Sequence, residues 1–340
     1  MVKKKDGKRR ATAGNGQKSV AEVAPPNRPQ ESESSPEVKS SPMPAASKPK
    51  EKPLPKMIAE AKDDSELRRI LIAQAKKILT ESPTARKYHC LLLYSNEMPI
   101  NRYVTDRIYT TLRSCAKDKD KPILLIVLSN GGSVESAYLV SKACKEYAKE
   151  RFAVAIPRHA KSAATLLGLG ADEIHMGIMS ELGPIDPQVG EHPALALKHA
   201  LENISQLCET YPKAATMFSE YLAKTLKITT VGYYERISES AVQYAERLLS
   251  AKYKKNAHAL AWKLVYAYKD HGFVIDHEEA LRLFSDSLIK YETDEYHLAE
   301  KVHQLVEEFD IWLQILKKRR VGWIMGQFNL EGIYISSLDK

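Results

Sequence analysis

Cysteine is scarce: Cys90, Cys115, Cys144 and Cys208 are the only four in 340 residues. They form no C-x-x-C pair and have no histidine at metal-ligand spacing, which argues against a zinc site or a disulfide framework. Small buried thiols in a reducing compartment are the expectation instead. Long apolar runs are also missing. None approaches the ~18 residues of a membrane helix. The basic start, Lys3-Lys4-Lys5 and Lys8-Arg9-Arg10, is not followed by the apolar stretch of about 7–15 residues that a secretory signal needs. A cytoplasmic protein is expected, with at most weak membrane contact through that basic segment.

Charge of one sign is absent from most of the chain. The net charge is +8, yet residues 1–56 hold 13 Lys/Arg against 6 Asp/Glu, so nearly all of the excess lies there. The remainder is close to neutral and implies no specific nucleic-acid partner. The same 56 residues contain nine of the 17 prolines and no aromatic residue. Such a composition cannot bury enough apolar surface to offset its ordering entropy, so 1–56 is expected to be a disordered tail.

From Met57 apolar residues recur at helical spacing, as in Leu67, Ile70, Leu71, Ala75, Ile78 and Leu79. Short apolar runs then alternate with amphipathic ones. Cys90–Tyr94, Ile123–Ser129, Phe152–Ile156 and Glu173–Met176 read as strands. Val104–Ala116, Ser133–Glu150 and Ser162–Gly170 read as the helices between them. That alternation predicts parallel βαβ units, whose ligands bind at the carboxyl ends of strands. From about Pro193 onward the pattern is mostly helical. The expected organisation is a tail (1–56), a domain with a leading helix (57–228) and a helical C-terminal region (229–340), whose aromatics Trp262, Tyr266, Tyr268, Phe273, Trp312 and Trp323 are expected mainly in the core.

Three segments carry chemistry. In Ser129-Asn130-Gly131-Gly132-Ser133, a glycine pair between strand and helix allows a tight turn that points N–H groups at a developing negative charge; it also suits an ordinary turn. In His159-Ala160-Lys161-Ser162-Ala163-Ala164, Ser162 opens a helix, where it is either an N-cap or a nucleophile. As a nucleophile it would place the N–H of Ala163 beside Gly131 or Gly132 to hold an acyl oxyanion. The third segment, Leu182-Gly183-Pro184-Ile185-Asp186-Pro187-Gln188, is a rigid turn followed by a helix carrying Lys198 and His199.

In this order the three segments, with Gly170-Ala171-Asp172-Glu173-Ile174 between the second and third, resemble the serine dehydrogenase proteinase family. That family belongs to the Clp-protease and crotonase-like superfamily, alongside signal peptide peptidase A. The resemblance runs from about Tyr88 to Leu222, and Asp270-His271-Gly272 with Glu278-Glu279-Ala280 resembles the family's C-terminal region. It implies an α/β spiral of ββα units, often assembled into rings, with a serine nucleophile at Ser162 and no metal or other cofactor. Ser129-Asn130 departs from relatives, which tend to carry an acidic or polar residue followed by Pro.

The resemblance leaves the general base open. Where Clp-type peptidases carry a histidine, this chain has Asp186, which is expected to order the loop or orient a base. The signal-peptide-peptidase branch uses a lysine from a later helix, and Lys198 matches it best. A lysine base must be desolvated enough to fall from about 10.4 toward 7–8, and Ala194, Leu195, Leu197 and Leu201 offer apolar surroundings. His192, His159 and Lys161 are alternatives. The leading expectation is a serine peptidase with a Ser162/Lys198 dyad acting on a peptide or protein, as a homo-oligomer. The alternatives are an inactive scaffold binding a protein partner through its C-terminal helices, and acyl-CoA chemistry on the same fold.

Overall fold

The computed structural model describes residues 52–95, 97–117, 120–189, 192–327 and 333–337. The chain divides into units 1–50 and 51–340. The first, and with it nearly all of the expected tail, lies outside the described residues. Helix formation starts at Leu54, just inside that tail, because Pro55 suits a first helical turn and Ile58 is fully buried.

Eleven strands are described: β1 His89–Ser95, β2 Ile123–Ser129, β3 Phe152–Ile156, β4 His159–Ala160, β5 Glu173–Met176, β6 Glu181–Leu182, β7 Gln188–Val189, β8 His192–Pro193, β9 Ile289–Tyr291, β10 Arg319–Gly326 and β11 Ile333–Ser337. The main sheet runs β11-β10-β1-β2-β3-β5-β9. Within it β1, β2, β3, β5 and β9 are parallel, and β10 pairs antiparallel with β1 and β11. Helices cover both faces, so the central strands are apolar on both sides and read as continuous runs. Leu125 and Val127 face the core beneath helices Arg102–Cys115 and Val134–Tyr147, while Leu124 and Ile126 face the one beneath Asp64–Glu81 and Asp294–Lys317.

The ββα pattern is visible where β3 ends. After Pro157-Arg158 the chain enters β4, which leaves β3 and pairs with the end of β2 and with β6, then continues into helix Ala163–Leu169. This short second layer gathers the three chemistry-bearing segments at the carboxyl ends of β2 and β4, where a parallel sheet exposes its loops.

The C-terminal third is mostly helical, as expected, but it also supplies strands to both sheet edges. β9 extends the sheet beyond β5, and the β10/β11 pair extends it beyond β1. Ala241, Ala245, Leu264 and Phe284 join the same core as β1–β3. Of the aromatics expected inside, Trp323 is buried, whereas Trp262 is half exposed and stacks on Tyr266 with ring centroids 5.4 Å apart. No helix among the described residues is long and apolar enough to cross a membrane.

Candidate active site

Ser162 precedes helix Ala163–Leu169 with φ 51° and ψ −118°, and its side chain caps nothing. This corrects the N-cap reading. A capping serine sits in the β region, whereas positive φ is costly for any residue with a Cβ. A serine held this way at a strand-to-helix turn presents its hydroxyl outward, as nucleophile elbows do. Ser162 is otherwise buried, 8% exposed, and it lines a cavity of about 1000 Å³.

The glycine pair is packed against it. A Cβ on Gly131, at φ 107°, would meet Lys161 O at 2.8 Å and Ser162 Cβ at 2.9 Å; one on Gly132 would meet Ile100 N and O at 2.4 Å. Only glycine allows both approaches. The N–H of Gly131 is donated to Ser129 Oγ at 3.1 Å, and Ser129 O accepts from Lys161 N at 2.9 Å. Ser129 therefore braces the turn in this chain. The N–H groups of Gly132 and Ala163 have no hydrogen-bond acceptor among the described residues.

The rigid run is tied to the serine helix and to a later loop. The Thr165 hydroxyl accepts from Gly183 N at 2.9 Å and donates to Ala160 O at 2.6 Å. Leu182 and Ile275 exchange backbone hydrogen bonds of 2.9 and 3.0 Å, and Ile185 N donates at 2.9 Å to Leu264 O, within the π-helical turn Lys263–Ala267. These ties bring the loop at 270–273 against Asp186.

The result is a histidine that sequence reasoning missed. His271 lines the same cavity as Ser162. Its Nδ1 is 3.9 Å from Asp186 Oδ2 and 3.0 Å from the side-chain amide of Gln188. Burial pulls His271 below the ordinary histidine value, opposed by the charge of Asp270. Asp186 is 6% exposed, and its Oδ1 is buried with no partner among the described residues. Burial raises its pKa to about 6, against the hydrogen bond from Gln188. A carboxyl left partly unsatisfied beside a cavity histidine costs stability and calls for a functional reason. The available signal was Asp270-His271-Gly272, which the sequence offers as part of the family resemblance but not as a source of a base.

The other expected bases lie elsewhere. Lys198 lines a separate cavity of about 260 Å³ that shares no residue with the Ser162 cavity. Its Nζ is 3.8 Å from Glu235 Oε1 and 5.4 Å from the Tyr266 ring centroid, and 47% of the side chain is exposed. The apolar neighbours Leu195, Leu197 and Leu201 are there, but the polar rim faces Glu235. Lys161 is engaged by Glu181 Oε2 at 2.9 Å. His159 lines a third cavity, with Arg158 and His303. The side chain of His192 lies outside the described residues. No group of three or more His, Cys, Asp or Glu side chains among the described residues is arranged to hold a metal ion.

Comparison with known proteins adds an independent line. Residues 83–218 match the family model described as ClpP-like SDH-type serine proteinase. Uncharacterized protein MJ0137 of Methanocaldococcus jannaschii is 30% identical over 216 residues, which span 62% of this chain and 70% of that protein. Uncharacterized protein MJ1495 of the same organism is 32% identical over 142 residues, spanning 38% of this chain and about half (48%) of that protein. Among solved structures, a 1510-N membrane-bound stomatin-specific protease variant in complex with a substrate peptide overlaps with TM-score 0.40 at 15% identity, covering 62% of this chain and 78% of that one. ClpP1 from Listeria monocytogenes overlaps with TM-score 0.39 at 14% identity, covering 66% and 99%.

Proposed function

We propose, from the premise that this chain belongs to the ClpP-like SDH-type serine proteinase family, that it hydrolyses peptide bonds through an acyl-enzyme on Ser162, with His271 as general base and Asp186 as its positioning residue. The observation that carries the proposal is the strained, uncapped Ser162 opening onto a cavity that His271 also lines, with Asp186 Oδ2 3.9 Å from the Nδ1 of that histidine.

The chemistry follows from these groups. Ser162 Oγ attacks the scissile carbonyl as Nε2 of His271 takes its proton, and the carbonyl oxygen becomes an oxyanion held by the N–H groups of Gly132 and Ala163. Gly131 supports this hole through shape, since its own N–H is used by Ser129. Collapse of the tetrahedral adduct breaks the C–N bond, and His271 returns the proton to the leaving amine. Water, deprotonated by His271, then releases the acyl group from Ser162. For Nε2 to be the base, Nδ1 must hold the other proton. Its acceptor is the Asp186 carboxylate, whose Oδ2 lies 3.9 Å from Nδ1 and closes on it as Gln188 Nε2 moves aside, and the same carboxylate stabilises the imidazolium.

This reading replaces Lys198 as the preferred base, because the lysine and the serine line different cavities. No metal or organic cofactor enters the scheme. A homo-oligomer in the cytoplasm is part of the proposal. Leu207, Tyr211, Met217 and Tyr221 stand exposed on the helical segment from Ala194 to Thr225, and self-association would cover them.

Cleavage of a diverse peptide pool by the purified chain, read by mass spectrometry, tests the proposal. Wild type and Lys198→Ala should give the same cleavage pattern, while Ser162→Ala and His271→Gln should give none. Full activity in Ser162→Ala would overturn it.

A further inference from the structure

The wall of the Ser162 cavity opposite chemistry-bearing loops is one face of helix Ile228–Tyr253, with Gly232, Arg236 and Ser240 successive turns apart. Two features of this face have no explanation within the fold.

The first is Gly232. A glycine inside a helix lowers its stability relative to alanine, and such a residue usually sits where another protein atom comes close. Here nothing lies within 4 Å of the position a Cβ would occupy. The glycine leaves an open notch in the cavity wall. The second is Arg236, one turn further on. Its guanidinium has no ion-pair or hydrogen-bond partner among the described residues, whereas exposed cations elsewhere are paired, Arg282 with Glu278 and Lys198 with Glu235. The cavity's carboxylate, Glu135, accepts from the Ser133 hydroxyl at 2.9 Å. Burial pulls His271 below the ordinary histidine value. Arg236 is thus the fixed positive charge of the described cavity lining.

We infer that Gly232 and Arg236 form a subsite for a carboxylate of the bound peptide. An extended peptide with its carbonyl at Ser162 would place a neighbouring group against the notch, and a guanidinium binds a carboxylate with two parallel N–H donors, which a lysine cannot do. The carboxylate belongs to an Asp or Glu side chain near the scissile bond or to the peptide's own C-terminus; the chemistry recognised is the same. The inference rests on the peptidase reading for its location, but its test does not depend on turnover.

Peptides in matched pairs, Glu against Gln and free against amidated C-terminus, are titrated onto the Ser162→Ala chain, and binding is followed by fluorescence anisotropy. At least one carboxylate-bearing member should bind about tenfold or more tightly than its neutral partner. Arg236→Gln in the same background should erase the difference, Arg236→Lys should keep part of it, and Gly232→Leu should weaken binding of both members by filling the notch. The pair that shows the difference identifies the source of the carboxylate. Equal binding within both pairs, a preference that survives Arg236→Gln, or no binding of any peptide overturns the inference. Cleavage of neutral peptides by wild type but not by Ser162→Ala, without any carboxylate preference, would leave the peptidase reading standing while removing this one.

Discussion

Two serines open helices on either side of the glycine turn, and the chain treats them differently. Ser133 has φ −69° and accepts from Ser136 N at 3.1 Å, so it performs the usual service of a cap. Ser162 has φ 51°, caps nothing, and is pressed against Gly131. The first serine lowers the free energy of its helix, while the second raises it. A conformation that costs on the order of 1–3 kcal/mol persists only where the surroundings over-determine it. Here Gly131, Ser129 and Thr165 do so. Asp186 belongs to the same side of the comparison, a buried carboxyl that the fold tolerates rather than uses for stability.

The largest effects should come from breaking the strained side. Ser162→Ala and His271→Gln should each lower kcat/KM by about 10³-fold or more, with thermal midpoints near that of wild type in a melting assay. Gly131→Ala should cost about 10²-fold in kcat, by displacing Ser162 and the Ala163 N–H, together with about 1–3 kcal/mol of stability in a urea titration.

Next in size is the pH dependence set by Asp186. Its carboxyl is held at about 6 when folded, above the ordinary value, so the fold favours the neutral form. The resulting stability is fully present below pH 4 and is lost as pH rises through about 6. Asp186→Asn should therefore be more stable than wild type at pH 8, by up to about 3 kcal/mol, and show no such gain at pH 4. Activity should run the other way. The carboxylate is needed to support His271, so kcat/KM in wild type should rise through pH 6, and Asp186→Asn should lose most activity at every pH. A pH–rate profile beside denaturation at both pH values reads both effects.

The smallest effects sharpen the contrast between the serines. Ser133→Ala should cost about 1 kcal/mol of stability through the lost cap and keep most of the activity. Ser162→Gly should be inactive yet more stable than Ser162→Ala by about 1 kcal/mol, because glycine accepts positive φ. Equal stability of the two variants in urea titrations would remove the strain from the account.

The parallel strands were legible because a doubly covered strand is a continuous apolar run. Ile123–Ser129 and Phe152–Ile156 appear with the expected bounds. The strands Ile289–Tyr291, at one sheet edge, and Arg319–Gly326, second from the other, follow helices without a clear break in apolar content, and tertiary pairing decides their form. In the site, the glycine pair, Ser162 and the Leu182–Gln188 run were visible because backbone geometry demands those residue types at those positions. His271 was hidden for a physical reason. Its partnership with Asp186 spans 85 residues and depends on the ties of Leu182 to Ile275 and Ile185 to Leu264, which no local pattern announces. Lys198 had the right apolar neighbours, but they line a cavity of their own.

The central claim is that His271, not Lys198, activates Ser162. Labelling with a fluorophosphonate, followed by intact-mass spectrometry of wild type, Ser162→Ala, His271→Gln and Lys198→Ala at pH 7.5, tests it without a known substrate. The account predicts one adduct, mapped to Ser162, at comparable rates in wild type and Lys198→Ala, and none on that timescale in the other two. Labelling retained in His271→Gln and lost in Lys198→Ala would contradict it.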